Sequence, residues 1–286
     1  LILAKITDYL PTLKKIGFKL TSGRKIKKVP FDPRVSWWED LMENEYSQIE
    51  KIKMDPDELA VILYSGGTTG VPKGIELSSH NLNCLAMQAT AQGPLVEGDS
   101  VLSILPIFHG FGLGVCVHTF LIDGGKCILV PKFSAETVLN LIKTKKPAYM
   151  AGVPTLYAAL ARNPKISKVD FSCIKGAFCG GDHLPHDIKL EFENAASKSG
   201  GNVVLREGYG LTESVTGVTI MPKNSYRQGS VGIPLSDIII KIVKLDTFEE
   251  ALPGEEGEIC VSGPTLMRGY LDHPEETEKT VKVHPD

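Results

Sequence analysis

The stretch AYMAGVPTLYAALA, residues 148–161, predicts a strand that leads directly into a helix. Its first five residues are small or apolar and end at Gly152, as expected of a short buried strand. The remaining residues predict a helix over Pro154–Ala161, because a proline at the first helical position loses no hydrogen bond. A strand followed at once by a helix is the repeating unit of α/β folds.

The same unit recurs on both sides of this stretch. Further buried strands are predicted at residues 101–105, 126–130, 174–180 and 202–208, and helices at 136–145 and 185–199. In the last helix, Ile188, Leu190 and Phe192 alternate as in a strand, but the length of the segment and its terminal glycines favour a helix. This alternation predicts an α/β fold in which helices cover a mainly parallel sheet. Ligands bind such sheets at the carboxyl ends of the strands.

The pattern changes after about residue 230. Two strand-like segments, 236–244 and 257–263, are separated by the acidic turn EEALPGEEG without a helix signal between them. We therefore expect an α/β core over residues 1–229, incomplete at its N-terminus, and the start of a smaller β-rich subdomain over residues 230–286.

Composition narrows the class of protein. The chain has 286 residues, 42% of them hydrophobic and 23% charged, with a net charge of −3. These values are typical of an ordinary globular protein and give no reason to expect a nucleic-acid partner. Six scattered cysteines without a CxxC pair favour reduced thiols in the cytoplasm. No transmembrane segment is predicted, because the apolar stretch 113–122 is short and interrupted.

The basic segment 1–30 has two interpretations. Its lysines and arginines greatly outnumber its acidic residues. A solvated basic face is the ordinary explanation of such a bias, and a surface for anionic lipid is the alternative.

The loop YSGGTTGVPKG, residues 64–74, joins strands predicted at 58–64 and 74–79. Successive glycine amides form a nest for anionic oxygens, two threonines add hydroxyls, and Lys73 adds a positive charge. It is not a Walker loop, because Pro72 and Gly74 flank that lysine. The loop predicts triphosphate binding, with a flexible surface turn as the alternative. Ser79 is expected to cap a helix that begins near His80.

The loop resembles the phosphate-loop signature of adenylate-forming enzymes, a superfamily of acyl-CoA synthetases, luciferases and the adenylation domains of peptide synthetases. Three further segments resemble the family's motifs in the expected order: LPIFHGFG (105–112), GYGLTES (208–214) and the stretch 254–280. The resemblance covers essentially the whole chain. It implies a central fragment of the large domain, with the first strands expected before Leu1 and the domain that carries the catalytic lysine expected after residue 286.

The resemblance implies an AMP-forming acyl-CoA synthetase, an acid–thiol ligase that activates a fatty or related carboxylic acid with ATP and Mg²⁺ and passes it to CoA. An amino-acid-activating domain is the alternative, although such domains usually have Phe-Asp where this chain has Phe108 and His109. The 286 residues alone, without the catalytic lysine, would be a binding module for a nucleotide or an acyl-adenylate with very weak or no activity.

The resemblance also implies a role for each matching residue. Thr212 would contact the α-phosphate, Glu213 would ligate Mg²⁺, and His109 would lie at the acyl entrance. The nucleotide would be bound by three groups of residues: Ser65, Gly66, Gly67, Thr68, Thr69, Gly70 and Lys73 on its phosphates, then Gly180, Gly181 and Asp182, then Gly208, Tyr209 and Gly210. The acid would be bound by Phe108, Gly112, Gly152, Val153, Pro154 and Thr155.

Several of these residues also have a structural interpretation. Tyr209 is by itself an ordinary core aromatic, and Glu213 by itself a surface charge. Residues 152–155 could equally well serve only to end the strand and begin the helix. A zinc site at Cys179, His183 and His186 is disfavoured, since the spacing lacks a second ligand pair.

Overall fold

The computed structural model describes residues 1–27, 29–43, 53–66, 72–93 and 95–283. These residues form two compact units, Leu1–Met54 and Asp55–Asp286. None of the helices in these ranges is long and apolar enough to cross a membrane.

The first unit is small and has little core. Strand β1 (Ile2–Leu3) pairs in parallel with β2 (Ser36–Trp37), and two helices follow their strands, α1 (Thr12–Leu20) and α2 (Trp38–Glu43). Helix α1 buries none of its residues. Lys5 lies 4.7 Å from the centre of a Trp37 ring and 3.3 Å from Glu39.

The second unit contains the elements that the sequence predicts most clearly. In chain order its strands are β3 (Leu59–Ser65), β4 (Lys73–Ser78), β5 (Ser100–Ser103), β6 (Lys126–Leu129), β7 (Tyr149–Gly152), β8 (Gly176–Cys179), β9 (Leu205–Tyr209), β10 (Thr219–Ile220), β11 (Ile233–Pro234), β12 (Ile239–Val243), β13 (Glu258–Ser262) and β14 (Gly269–Tyr270). Its helices are α3 (Ser79–Ala91), α4 (Thr119–Ile122), α5 (Ala135–Lys145), α6 (Pro154–Ala161), α7 (His186–Lys198) and α8 (Pro274–Thr280).

The main sheet has seven strands in the order β11-β10-β9-β8-β7-β5-β6. Strands β5 to β9 run in parallel, while β10 and β11 extend the sheet antiparallel. The predicted α/β fold with a mainly parallel sheet is therefore confirmed. Helix α6 has the bounds predicted for it, and the ambiguous segment 185–199 is a helix.

The sheet has a different core on each face. Helices α5, α6 and α7 pack with Leu102 and Met150 around the fully buried rings of Tyr157, Phe171 and Phe192. The neighbouring residues Val101 and Tyr149 point the other way, because successive strand side chains alternate, and they pack with Phe120.

A second, three-stranded sheet has the order β14-β4-β3 and is antiparallel. Helix α3 leaves β4 through a reciprocal cap, in which Ser78 Oγ accepts from the Asn81 backbone at 3.2 Å and Asn81 Oδ1 accepts from the Ser78 backbone at 2.9 Å. The prediction that Ser79 caps this helix was therefore wrong by one residue. The extended backbone of Ser78 and the amide of Asn81 three residues later determine the true start.

The sequence did not predict a helix over residues 111–122. Phe111–His118 form a π-helix that continues into α4. Its glycines disfavour a helix locally but permit close packing. A Cβ atom on Gly112 would lie 2.1 Å from the Pro106 carbonyl oxygen, and one on Gly114 would lie 2.7 Å from a methyl of Leu85 on α3. Tertiary contact therefore outweighs local propensity here.

Candidate functional site

A cavity of about 270 Å³ lies at the carboxyl ends of β8 and β9, the place where parallel sheets bind ligands. Its lining includes a group of residues at the ends of these strands and just beyond them, which we call its mouth: Gly180, Gly181, Gly208, Tyr209, Gly210, Leu211 and Thr212. All of them except Leu211 belong to the predicted site. The structure therefore brings together two loops that are about thirty residues apart in sequence.

Close backbone packing explains the glycines at this mouth. A Cβ atom on Gly180 would lie 3.2 Å from the Gly208 carbonyl oxygen, so the two loops nearly touch. A Cβ atom on Gly210 would lie 1.4 Å from the Thr216 carbonyl oxygen, a distance that no side chain permits. Gly181 has a φ of +81°, which favours glycine. The glycines hold the mouth open without side chains.

The turn after β9 stores backbone strain. Val215 is fully buried and has a φ of +60°, a conformation that costs a β-branched residue about 1–3 kcal/mol. It follows the short helix Thr212–Ser214. Tyr209 is half-buried at the cavity wall, where its backbone N–H donates to Thr219 Oγ1 at 3.3 Å. The buried valine holds Thr212 and Glu213 in a fixed turn beside the cavity.

Glu213 is tied to the C-terminal part of the chain. The Tyr270 hydroxyl donates to Glu213 Oε1 at 2.9 Å, and the Met267 N–H donates to the Glu213 carbonyl at 2.7 Å. Burial raises the pKa of Tyr270, and the hydrogen bond to the Glu213 carboxylate raises it further. Tyr270 therefore remains a neutral donor at physiological pH.

Lys73 meets the same tyrosine from the other side. Its ammonium lies 2.9 Å from Glu276 Oε2 and 4.9 Å from the centre of the Tyr270 ring. Hydrogen bonds from Lys73 and Lys279 lower the pKa of the Glu276 carboxyl. We refer to Lys73, Glu213, Tyr270 and Glu276 as the lysine–tyrosine cluster.

The phosphate loop lies only partly within the described residues. Ser65 is the last residue of β3 and pairs with Lys73 across the hairpin. Gly66 is exposed, and an added Cβ atom there would contact no described residue within 4 Å. The predicted ligands Gly67, Thr68, Thr69 and Gly70 lie outside the described residues.

His109 and Phe111 line the cavity, but Phe108 does not. His109 Nδ1 accepts a hydrogen bond from the Phe111 N–H at 3.1 Å, so Nε2 carries the proton in the neutral ring. The Phe108 side chain is 77% exposed. Gly112 is buried in the π-helix. Asp182 is exposed, and its carboxylate accepts from the His183 N–H at 2.7 Å.

Residues 152–155 lie behind the glycine turn and do not line the cavity. The Gly152 carbonyl accepts from the Gly180 N–H at 3.2 Å, Val153 caps helix α6, and Pro154 occupies the first turn of that helix. Thr155 is exposed. Their local geometry is that of a strand-to-helix turn that supports the loop at Gly180 and Gly181.

Arg206 was not among the predicted site residues, yet it lines the cavity although it is only 5% exposed. It donates to the Met221 carbonyl at 2.7 Å, to the Gln92 carbonyl at 2.9 Å and to Gln92 Oε1 at 3.2 Å. Burial lowers the pKa of this guanidinium. A charged residue inside the predicted buried strand NVVLREG was the signal that could have found it.

Two residues of the disfavoured zinc site, His186 and Cys179, have surroundings that do not suit a metal ligand. His186 Nδ1 lies 3.1 Å from the Tyr226 hydroxyl, and the two rings stack. Burial raises the pKa of the Cys179 thiol to about 12. Within the described ranges, no group of three or more His, Cys, Asp or Glu side chains could hold a metal ion.

Comparison with known proteins places these observations in a family. The family model described as "AMP-binding enzyme" matches residues 6–271. The long-chain-fatty-acid–CoA ligase of Bacillus subtilis is 36% identical over 291 residues, which cover 99% of this chain and 50% of that protein. The probable 4-coumarate–CoA ligase 3 of Dictyostelium discoideum is 30% identical over 279 residues, covering 95% and 50% respectively.

A solved structure shares the fold. The ATP-bound MatB from Rhodopseudomonas palustris matches with a TM-score of 0.75 and 26% identity, covering 98% of this chain and 54% of that one. The chain spans about half the length of the curated relatives that it matches.

Proposed function

The chain belongs to the AMP-binding enzyme family, and from that premise we propose that it forms the nucleotide- and acyl-binding part of an AMP-forming acyl-CoA ligase. Two relatives are named as CoA ligases, one for long-chain fatty acids and one for 4-coumarate. The proposed reaction joins a carboxylic acid to ATP with release of pyrophosphate. CoA then displaces AMP from the acyl-adenylate to give a thioester.

The continuity of the cavity carries this proposal. Its mouth consists of bare glycine backbone, Tyr209 and Thr212, whereas much of the remaining lining is apolar: Leu85, Leu95, Val101, Val115 and Phe120. An acyl-adenylate has the same division, with a planar base and polar sugar phosphate at one end and an apolar chain at the other. The apolar part of the lining would also limit contact between water and the reactive mixed anhydride.

We propose that three side chains assist the first step. Tyr209 would lie against the adenine, and the Thr212 hydroxyl would donate to oxygens of the α-phosphate as negative charge develops there. The Nε2–H of His109 would hold a carboxylate oxygen of the substrate, since its other ring nitrogen already accepts from the backbone. Catalysis by these groups is positioning and charge stabilisation.

The donor set around Glu213 suits Mg²⁺. This ion commonly takes one or two carboxylates and completes its octahedron with phosphate oxygens and water. One oxygen of Glu213 accepts from Tyr270, which fixes the carboxylate next to the turn that carries Thr212. We propose Glu213 as the protein ligand of a magnesium ion, which would offset charge on the phosphates when bound.

We propose that the β- and γ-phosphates bind at Ser65–Gly70 and Lys73. Backbone amides in a glycine-rich turn and a lysine at its end are suited to anionic oxygens. In this structure Lys73 is paired with Glu276. The triphosphate would therefore compete with that carboxylate for the ammonium group.

The lining of the cavity disfavours an amino-acid substrate. A buried ammonium group needs a carboxylate partner. No described residue that lines the cavity is Asp or Glu, and one is Arg. An aliphatic or aromatic acid without an amine suits this lining better.

We also propose a cytoplasmic location. All six cysteines lie in the described part of the chain and are free thiols, including the neighbouring pair Cys116 and Cys127. Free cysteines at this number are typical of a reducing compartment.

The test is calorimetric titration of this chain with acyl-sulfamoyl adenosines, in which a sulfamate replaces the reactive phosphate. We expect alkyl analogues to bind at least about tenfold more tightly than aminoacyl analogues of equal size, a difference of about 1.4 kcal/mol. AMP and the free acid serve as controls and should each bind more weakly than the joined molecule. Tighter binding of the aminoacyl analogues would contradict the proposal. Absence of binding by every analogue would contradict it as well.

A further inference from the structure

Arg206 is a buried charge at the cavity, and its hydrogen-bond partners among the described residues are all neutral. Its guanidinium donates to two backbone carbonyls and one side-chain amide, of Met221 and Gln92. Burying a cation without a carboxylate is costly, so a position that tolerates it usually has a use for the charge. Within the described residues, three of its five N–H groups donate a hydrogen bond.

An aromatic wall extends from the guanidinium into the cavity. The Phe178 ring lies 5.6 Å from the guanidinium carbon, Tyr149 stacks against Phe178 at 6.4 Å, and Phe120 meets Tyr149 edge-on at 5.5 Å. All four side chains line the cavity. The lining near this wall also includes the apolar side chains of Leu95 and Val101 and the polar side chain of Gln92, which Arg206 contacts. The acyl end therefore combines a flat hydrophobic surface with one strong hydrogen-bond donor.

A purely structural role explains only part of this arrangement. Arg206 joins the C-terminal end of α3 at Gln92 to the backbone beyond β10 at Met221. This link between the two segments uses three N–H groups of Arg206. It does not require a cavity at the guanidinium, and it leaves two donors that a ligand oxygen can satisfy.

We propose that Arg206 determines specificity by making the acyl end of the cavity select carboxylic acids that carry an oxygen acceptor away from the reacting carboxyl group. The chemical class is an acid with a distal keto, ether or phenol oxygen, held against the aromatic wall. This inference rests on the proposed function, because it assigns the apolar part of the cavity to the acyl group. A plain alkyl acid would still fit but would leave the guanidinium unsatisfied.

The experiment compares acyl-sulfamoyl adenosines by calorimetry on this chain. One analogue carries a decanoyl group, and the others carry a single ketone at successive positions along the same chain. We expect one ketone position to bind about tenfold more tightly than decanoyl, as expected of a hydrogen bond from a charged donor, while the other positions bind no better. Arg206→Met should abolish this preference, and Arg206→Lys should retain part of it.

The controls separate this inference from the proposed function. Arg162→Met removes an exposed arginine paired with Glu191 and should leave all affinities unchanged. If no ketone analogue binds the wild-type chain more tightly than the decanoyl analogue, the inference is overturned. This outcome can be measured even if Arg206→Met fails to fold. A ketone preference that survives in Arg206→Met would also overturn it. Absence of binding by every analogue, decanoyl included, would instead contradict the proposed function.

Discussion

The glycine turns at the mouth of the cavity are held by backbone packing, whereas the lysine–tyrosine cluster is held by side-chain pairs. In the first region, Gly180 and Gly210 bring main-chain atoms close together, and at Gly210 the space left is too small for any side chain. In the second, Lys73 and Glu276 are 203 residues apart and meet through one ion pair. The first geometry cannot relax without unfolding of the loop, while the second can exchange its partners. In terms of the proposed function, the base would bind at a preformed site and the phosphates at an adjustable one.

The largest effect is expected when a methyl group is added at the mouth of the cavity, where backbone packing is tightest. Gly210→Ala places a Cβ atom 1.4 Å from the Thr216 carbonyl oxygen. We expect the free energy of unfolding to fall by about 3 kcal/mol, because the buried turn must shift as a whole. Urea denaturation measures the change, and AMP binding should be lost with it. Gly66→Ala, where the added atom contacts none of the described residues within 4 Å, should leave stability unchanged.

A smaller effect is expected in the lysine–tyrosine cluster. Tyr270→Phe removes one hydrogen bond to the Glu213 carboxylate and keeps the ring. We expect a loss of about 1.5 kcal/mol in the free energy of unfolding, since the acceptor is charged. Tyr226→Phe is the matched control, because it removes a hydroxyl that faces His186 at the surface. Equal losses of unfolding free energy in the two variants would show that the hydrogen bond to Glu213 stabilises the protein no more than the surface hydroxyl of Tyr226 does.

The pH dependence of this difference sharpens the comparison further. Burial and Glu213 raise the pKa of Tyr270 above its ordinary value of 10.0. A raised pKa contributes stability that is fully present below the unfolded pKa and is lost as pH rises through the folded one. The stability advantage of wild type over Tyr270→Phe should therefore stay constant up to about pH 10 and shrink above it. An advantage that grows at high pH would contradict this assignment.

The smallest effect is expected from a variant that tests whether Lys73 can exchange Glu276 for a phosphate group. Glu276→Gln removes the carboxylate that holds Lys73. We expect pyrophosphate to bind about threefold more tightly, a modest gain because the ion pair is partly exposed to water. Glu191→Gln removes a carboxylate from an exposed pair with Arg162 and should leave this affinity unchanged. Weaker binding in Glu276→Gln would mean that Glu276 supports the phosphate site instead of competing with it.

The same contrast explains how much of the molecule the sequence could predict. The parallel strands and helix α6 carry local signals, such as apolar runs that end at glycine and Pro154 at a helix start. The π-helix at residues 111–118 does not, because its glycines make sense only against Leu85 and Pro106. No local pattern could place Glu276 beside Lys73. Motif resemblance named residues at the mouth of the cavity, such as Tyr209, but did not name Arg206 inside it.

The most direct test of the account is a crystal structure of this chain with dodecanoyl-sulfamoyl adenosine. We predict the adenine against Tyr209 between the turns at Gly180 and Gly208, with the alkyl chain running past Leu85 and Phe120. That result would establish one continuous site for both ends of an acyl-adenylate. An alkyl chain that lies outside the cavity, or an adenine bound away from the two glycine turns, would contradict the central claim.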